Sequence, residues 1–466
     1  MSIDGQAFRV TRRTALQVVG VAGAAMLLSA CTPRQGTTGS STGAVPFFSA
    51  ESNPPAIEQL EKFVSTYNAQ GKAEINMSLA GGGSSRGEIL IRKFQLKQEI
   101  GVFELEDAYL EDWAKANYLE PLDDLLDDLG EDFFIDQSYF RSAYDGHVYG
   151  LPMQINPAVT YYRTDLFKAK GLRAPTNFDE LLECSKALTS GDSYGISLAL
   201  GPNAASGMAL TPVLHQAGAD YFDRQGNLTF DSAEARKGLL NHLELLKYAP
   251  VGIAAWGYVD VLNAFLGGNV GIMHAPSQYL ATILRDYPDL AKNIGVLPIS
   301  PFGGPLNGQT AWGRWQQLGI SSNTKNIDGA KAFLKFLLSS DNRAKWITAS
   351  PGLVAPIAEA NDHVSKDKDY AATFGKLVTP AFAAGKVAVT PVRNMGSVFA
   401  GAFVKSSVIC PWAASIWGAK PVDIEMLQKI TLNNIPFDDA WHEASASMGQ
   451  IAHDWRAANP DWNPGA

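Results

Sequence analysis

Cysteine is scarce in this chain of 466 residues: Cys31, Cys184 and Cys410 are all it has. Three thiols close at most one disulfide, and their wide spacing matches no zinc pattern, so neither a disulfide scaffold nor a metal module fits. Charge is sparse too, at 18% of residues, and the sign that nucleic acid requires is in the minority, with 38 Lys and Arg against 47 Asp and Glu and a formal charge of −9. That balance argues against nucleic acid as the main partner. Catalytic signatures are missing as well. The chain has no GxSxG elbow and no HExxH, no lysine follows the triple glycine Gly81 to Gly83, and the seven histidines are scattered singly. The acidic neighbours Asp123 with Asp124 and Asp127 with Asp128 read as one solvated helix end, not as a glycosidase pair. No catalytic residue, metal or cofactor is expected. What is abundant is apolar sequence, 46% of the chain, over a length that predicts roughly two or three domains with sizeable cores.

The first thirty residues carry a location signal. Arg12 and Arg13 precede an apolar run from Ala15 to Ala30 that is too short to span a bilayer comfortably. The arginine pair resembles a twin-arginine export signal, and Leu28 to Cys31 resembles a bacterial lipobox, whose cysteine is lipidated and becomes the first mature residue. The expectation is a signal peptide over 1–30, a lipid on Cys31, and a Gly, Ser and Thr tether over 31–43 with no apolar residue to bury. The protein then sits on the outer side of a cell membrane without crossing it. Removing residues 1–30 takes away three arginines and one aspartate, so the acidity, then −11, belongs to the folded part. Cys184 and Cys410 read as small core residues.

Beyond the tether, a short apolar segment at Val45 to Ser49 is followed by Ile57, Leu60, Phe63, Val64 and Tyr67 at helical spacing, then by an alternating, strand-like stretch from Ala73 to Leu79. Strand, helix, strand, helix begins a doubly wound α/β lobe, whose ligands bind beyond the carboxyl ends of the strands. The loops holding Ser49, Glu51, Gly81 to Ser85 and Asp107 to Tyr109 are the candidates on that ground.

From Leu105 the order of motifs becomes specific: Tyr118 to Leu125 (YLEPLDDL), Tyr144 to Pro152 (YDGHVYGLP), Tyr161 to Phe167 (YYRTDLF), then Ala174 to Leu181 (APTNFDEL), with Asn177 and Glu180 forming a capping box. Phe265 to Met273, Gly295 to Pro298, Gly319 to Lys325 and Gly352 to Pro356 continue the series. Any one of these is weak, but their order over residues 44–360 resembles the family-1 extracellular solute-binding proteins of ABC importers, a group that includes maltose-type carbohydrate binders. The resemblance implies two doubly wound α/β lobes joined by crossover hinge segments, with a ligand cleft between them. It assigns 44–152 with 296–318 to the N-terminal lobe and 153–295 with 319–466 to the C-terminal lobe, with crossovers near Leu151 to Gln154, Asn293 to Val296 and Arg314 to Leu318. It also implies a sugar or oligosaccharide as ligand, ABC permease subunits as partners, and a monomer.

The aromatic content fits that implication. A sugar ring has an apolar face and a belt of hydroxyls, so its cleft needs flat rings beside amides, carboxylates and guanidinium groups. Trp256, Tyr258, Trp312 and Trp315 lie beside glycines in expected loops, and Glu51, Asp107, Gln154, Asn156 and Arg314 supply directional hydrogen bonds. With Gly82, Ser84 and Tyr109 they form the candidate ligand site. Two other readings stay open: a binder of a glycerophosphodiester or another polar solute, and a glycan-acting surface lipoprotein enzyme.

Overall fold

The computed structural model describes residues 43–51, 53–79, 86–105, 109–223, 225–385, 388–389, 410, 412–416 and 421–462. The leader, Cys31 and the tether lie outside the described residues. Eleven strands are present among those described. In chain order they are β1 (Val45–Ser49), β2 (Ile75–Leu79), β3 (Val102–Leu105), β4 (Ala143–Tyr144), β5 (His147–Val148) and β6 (Gly150–Arg163). The remainder are β7 (Tyr194–Ser197), β8 (Val270–Pro276), β9 (Ile294–Leu297), β10 (Ala311–Ile320) and β11 (Ala388–Val389).

The main sheet runs β2-β1-β3-β10-β6-β8-β7, with β9 also on β6 and β11 also on β10. Parallel β1, β2 and β3 form the first lobe, and parallel β7 and β8 the second. Two long antiparallel strands, β6 and β10, join them. This is the two-lobed α/β architecture expected from the sequence. Only two of the three expected crossovers are crossing strands, however. β9 pairs with β6 alone, at Thr160 to Arg163, and so stays within the second lobe.

The helix Pro54–Asn68 forms where the spacing predicts it. Proline opens it, and Ala56, Leu60, Phe63 and Tyr67 put one buried stripe on the first-lobe sheet. The assignment of 319–466 to the second lobe needs correction. Helix Ile327–Leu338 docks on the first: Phe333 meets Phe47 of β1 edge-on at 5.4 Å and Tyr67 at 5.2 Å, while Phe336 packs on Phe63 and Tyr67. Its surface lysines also face that lobe, Lys331 on Asp124 at 2.9 Å and Lys335 on Asp128. The chain therefore returns to the first lobe through β10. The C-terminal helices Val422–Asn433 and Phe437–Ala458 do join the second lobe, where Trp441 donates to the carbonyl of Phe230 at 2.9 Å and Tyr221 to Asp423 at 2.6 Å.

The capping box at helix Phe178–Leu188 is shifted by one residue. Asn177 Oδ1 accepts from the Glu180 amide at 3.0 Å, but the Glu180 carboxylate reaches back to the backbone and hydroxyl of Thr176, not to Asn177. Asn177→Ala is expected to cost about 1 kcal/mol in urea unfolding, because it strips the acceptor from an end amide of that helix. An unchanged midpoint would show that the cap contributes nothing.

Candidate functional site

The crossover strands have a middle stretch that belongs to neither lobe. Residues Gln317 to Ile320 of β10 pair with β3, and Ala158 to Tyr162 of β6 pair with β8. Between them, Gln154 to Asn156 of β6 lie opposite Arg314 to Gln316 of β10. Side chains directly opposite share a face, and those two apart along a strand do too. One face therefore carries Gln154, Asn156, Trp312, Arg314 and Gln316, and the other Ile155 and Trp315. This is the floor between the lobes.

Hydrogen bonds fix the amides on that floor. Trp346 donates its indole N–H to Gln154 Oε1 at 2.5 Å, and Gln154 Nε2 in turn donates to Gln316 Oε1 at 2.6 Å. Asn156 Oδ1 accepts from the backbone N–H of Gln278 at 3.3 Å and from Ser277 Oγ at 3.4 Å, while its Nδ2 donates to Gln278 Oε1 at 2.5 Å. Gln154 is buried, with its oxygen engaged by Trp346 and its nitrogen by Gln316, so it positions Gln316. Asn156, Gln278 and Gln316 are half-buried, and Arg314 is exposed.

At the strand ends of the first lobe, the carboxylates turn inward. Glu104 on β3 is buried and its Oε1 accepts from Ser49 Oγ at 2.7 Å and from the Ala50 amide at 3.1 Å. Glu51 Oε1 accepts from the Asn53 amide at 2.8 Å. Tyr109 stacks on Trp113 at 5.2 Å and covers Gly87, where an added Cβ would sit 2.4 Å from its ring. Gly82, Ser84 and Asp107 lie outside the described residues.

The second lobe supplies half-buried rings: Trp256, Tyr258 and Tyr279. Desolvation holds both phenols above their ordinary value, and that of Tyr279 is raised further by Tyr258 and Asp260, so each is a neutral O–H at any ordinary pH. Tyr258 packs on Trp312, Ala158 and Met208. Trp312 and Trp315, both candidates for the ligand site, do not share a face. Three apart in a strand, they point to opposite faces, and they are 6% and 4% exposed. Trp315 spends its ring on Ile155, Val354 and Phe382. Trp412 is likewise a packing residue, wedged among Phe222, Trp455 and Trp462, and Trp417 lies outside the described residues.

Gln316, Gln278 and Tyr279 are the members that the sequence reading missed. Counting by two from Arg314 would have found Gln316, and the rule of the carboxyl strand end applied to β8 would have found Gln278 and Tyr279. Among the described residues no group of three or more His, Cys, Asp or Glu is placed to hold a metal ion, and no helix is long and apolar enough to cross a membrane. Cys184 and Cys410 are both buried, and burial pushes the Cys184 thiol up to about 11. The aspartates of the acidic helix end are engaged structurally: Asp123 by His147 at 3.0 Å and by the Val148 amide, Asp124 and Asp128 by the lysines named above.

Three similarities bear on this arrangement. A maltose-bound protein, T. maritima MalE3, superposes with a TM-score of 0.73 at 19% identity, covering 88% of this chain and 100% of that one. A mannitol-binding protein of Pseudomonas aeruginosa is 32% identical over 166 residues, 34% of this chain and 38% of that protein. An arabinooligosaccharide-binding protein of Halalkalibacterium halodurans is 24% identical over 267 residues, 53% of this chain and 56% of that protein. The profile of the bacterial extracellular solute-binding proteins matches residues 54–344, a stretch that includes both crossover strands and the floor between them. The chain belongs to the bacterial extracellular solute-binding protein family.

Proposed function

We propose that this protein captures a sugar, oligosaccharide or polyol in the cleft between its lobes and delivers it to an ABC permease, anchored outside the cell membrane by a lipid on Cys31. The observation that carries this reading is the strip along the crossover floor, where Asn156 lies opposite Arg314 and bonds Gln278, Gln316 lies two residues on, Tyr258 packs on Trp312 of the same face, and half-buried Tyr279 follows Gln278. Aromatic faces receive the apolar side of a pyranose, and the amides take up its hydroxyls. The names of the relatives, which bind maltose, mannitol and arabinooligosaccharide, support the same class.

The mechanism is closure without chemistry. A ligand touching both lobes favours the closed form by the difference in its contacts between the open and closed forms, and the two crossover strands are the natural hinge. No bond of the solute is made or broken. Asp123, Asp124 and Asp128 are engaged by His147, Lys331 and Lys335, which supports a structural role for that acidic helix end.

A thermal-shift panel of neutral sugars, oligosaccharides and polyols, with glycerophosphodiesters alongside, tests the reading. A true ligand at a hundredfold excess over its Kd adds roughly 2.7 kcal/mol of stability and is recovered unchanged. Consumption of the ligand would favour an enzyme, and silence across the panel would exclude the solute class.

A further inference from the structure

The floor of the cleft exposes donors and hides acceptors. An indole N–H donates and never accepts, so the atom of Gln154 that meets Trp346 at 2.5 Å is its oxygen. The Gln154 nitrogen must then be the atom facing Gln316 at 2.6 Å, which makes that contact a donation to the Gln316 oxygen. The outward atom of Gln316 is therefore its NH2. The same logic runs through the second chain. A backbone N–H also only donates, so the Asn156 atom 3.3 Å from the Gln278 amide is its oxygen, its nitrogen donates to Gln278 Oε1, and Gln278 too turns its NH2 outward. Arg314, directly opposite Asn156 on the same face, adds a guanidinium that has no acceptor at all. Among the described residues, the carboxylates of Glu104 and Glu51 accept hydrogen bonds from Ser49, Ala50 and Asn53 at their own strand end.

Resting on the reading of this strip as the ligand site, we propose that the solute carries an anionic oxygen group on its sugar or polyol frame, received by Arg314 and the outward amides of Gln316 and Gln278. A carboxylate, as in a uronate or aldonate, and a phosphate ester share the chemistry required: several acceptor oxygens and no donor to be stranded against three donor groups. Each neutral hydroxyl brings an O–H donor of its own, which an array of donors leaves without an acceptor.

Titration calorimetry on the full protein with matched pairs tests this: galactose against galacturonate, glucose against glucuronate, gluconate and glucose 6-phosphate, and mannitol against mannitol 1-phosphate. In at least one pair the acidic member is expected to bind ten or more times tighter than its neutral partner, with the preference shrinking as salt rises. Carboxylate and phosphate arms separate the two sources. Arg314→Gln, at an exposed position, is expected to remove most of that preference, read as the ratio of the two affinities measured on the same variant. Gln316→Glu keeps the acceptor for Gln154 but replaces the outward donor, and is expected to reject the acid by tenfold or more; circular dichroism of each variant confirms that it is folded. Equal or tighter binding of the neutral members overturns this inference and leaves the proposed function standing. A preference untouched by Arg314→Gln overturns it as well. Binding of neither member in any pair overturns this inference, and the proposed function is then decided by the oligosaccharide arm of the thermal-shift panel.

Discussion

Lowering the pH from 7 to 4 is expected to destabilise the protein by about 3 kcal/mol for each of two histidines in the second lobe. His242, on helix Ala233–Leu246, and His274, on β8, are both buried. Both ring nitrogens of His242 lack a hydrogen-bond partner among the described residues, whereas His274 has one nitrogen on Ser300 Oγ at 2.7 Å and the Met208 backbone close enough to offset part of the cost of charging it. Desolvation pushes each down from the ordinary value near 6.5 to about 4, and for His242 the neighbouring His274 adds to it, because two imidazolium ions would repel. A histidine whose folded-state value is depressed binds protons first in the unfolded chain. Stability therefore starts to fall as the pH drops through 6.5 and stops falling, for these groups, near 4. The window separates them from the carboxylates: the interaction of Asp165 with Arg163 holds that carboxyl below its ordinary range, so its contribution is lost only at lower pH. Urea unfolding at pH 7, 5.5 and 4 measures the loss. The variant His242→Leu is expected to be flatter by about half over that range, since it removes one of the two titrations. A slope unchanged in His242→Leu would place the acid sensitivity elsewhere.

That pair also shows which properties are legible in a sequence. Seven scattered histidines exclude a metal motif, but nothing in their spacing brings His242 beside His274, which are joined only by the docking of a helix on a sheet. Local patterns carry further. The stripe of Leu60, Phe63 and Tyr67 specifies its helix because four-residue periodicity and burial agree, and the ordered motifs from Tyr118 to Pro356 identify the two-lobed fold. Gln154 and Arg314 fall in the crossover segments that the same order implies, and the two strands do cross there. What failed depends on partners across strands. Trp312 and Trp315 look adjacent on paper but lie on opposite faces of β10, whereas Gln316 acquires its place from Gln154, 162 residues away in sequence. Helix Ile327–Leu338 follows a crossover, and a crossover leaves open which sheet the next helix covers. Phe333 and Phe336 decide it by meeting Phe47, Phe63 and Tyr67.

The support beneath the site gives the second large effect. Gly352→Ala is expected to cost about 3 kcal/mol or more and to weaken the affinity for any ligand that reaches Gln278. Gly352 has φ of +105°, where an L side chain is strained, and an added Cβ would lie 2.0 Å from the Ser277 carbonyl oxygen and 3.2 Å from the Gln278 nitrogen. Both neighbours are backbone, so no flexible side chain can yield. Nor can Ser277 retreat: its amide donates to the Pro157 carbonyl at 2.7 Å, its hydroxyl to the Gly352 carbonyl at 2.6 Å, and its own carbonyl accepts from Tyr161 at 3.2 Å. The strain must pass to Gln278, the residue whose outward amide the floor presents. Gly308→Ala is the control, because Gly308 has φ of +75° but open space around it. It is expected to cost only the backbone strain, about 1 kcal/mol, with ligand affinity unchanged. If the two variants lose equal stability and bind alike, close packing of Gly352 on Ser277 does not hold the site. If Gly352→Ala alone loses both, the same contact that closes the turn after helix Ser340–Ala349 also aims an amide into the cleft, and stability and affinity are coupled through one missing methyl group.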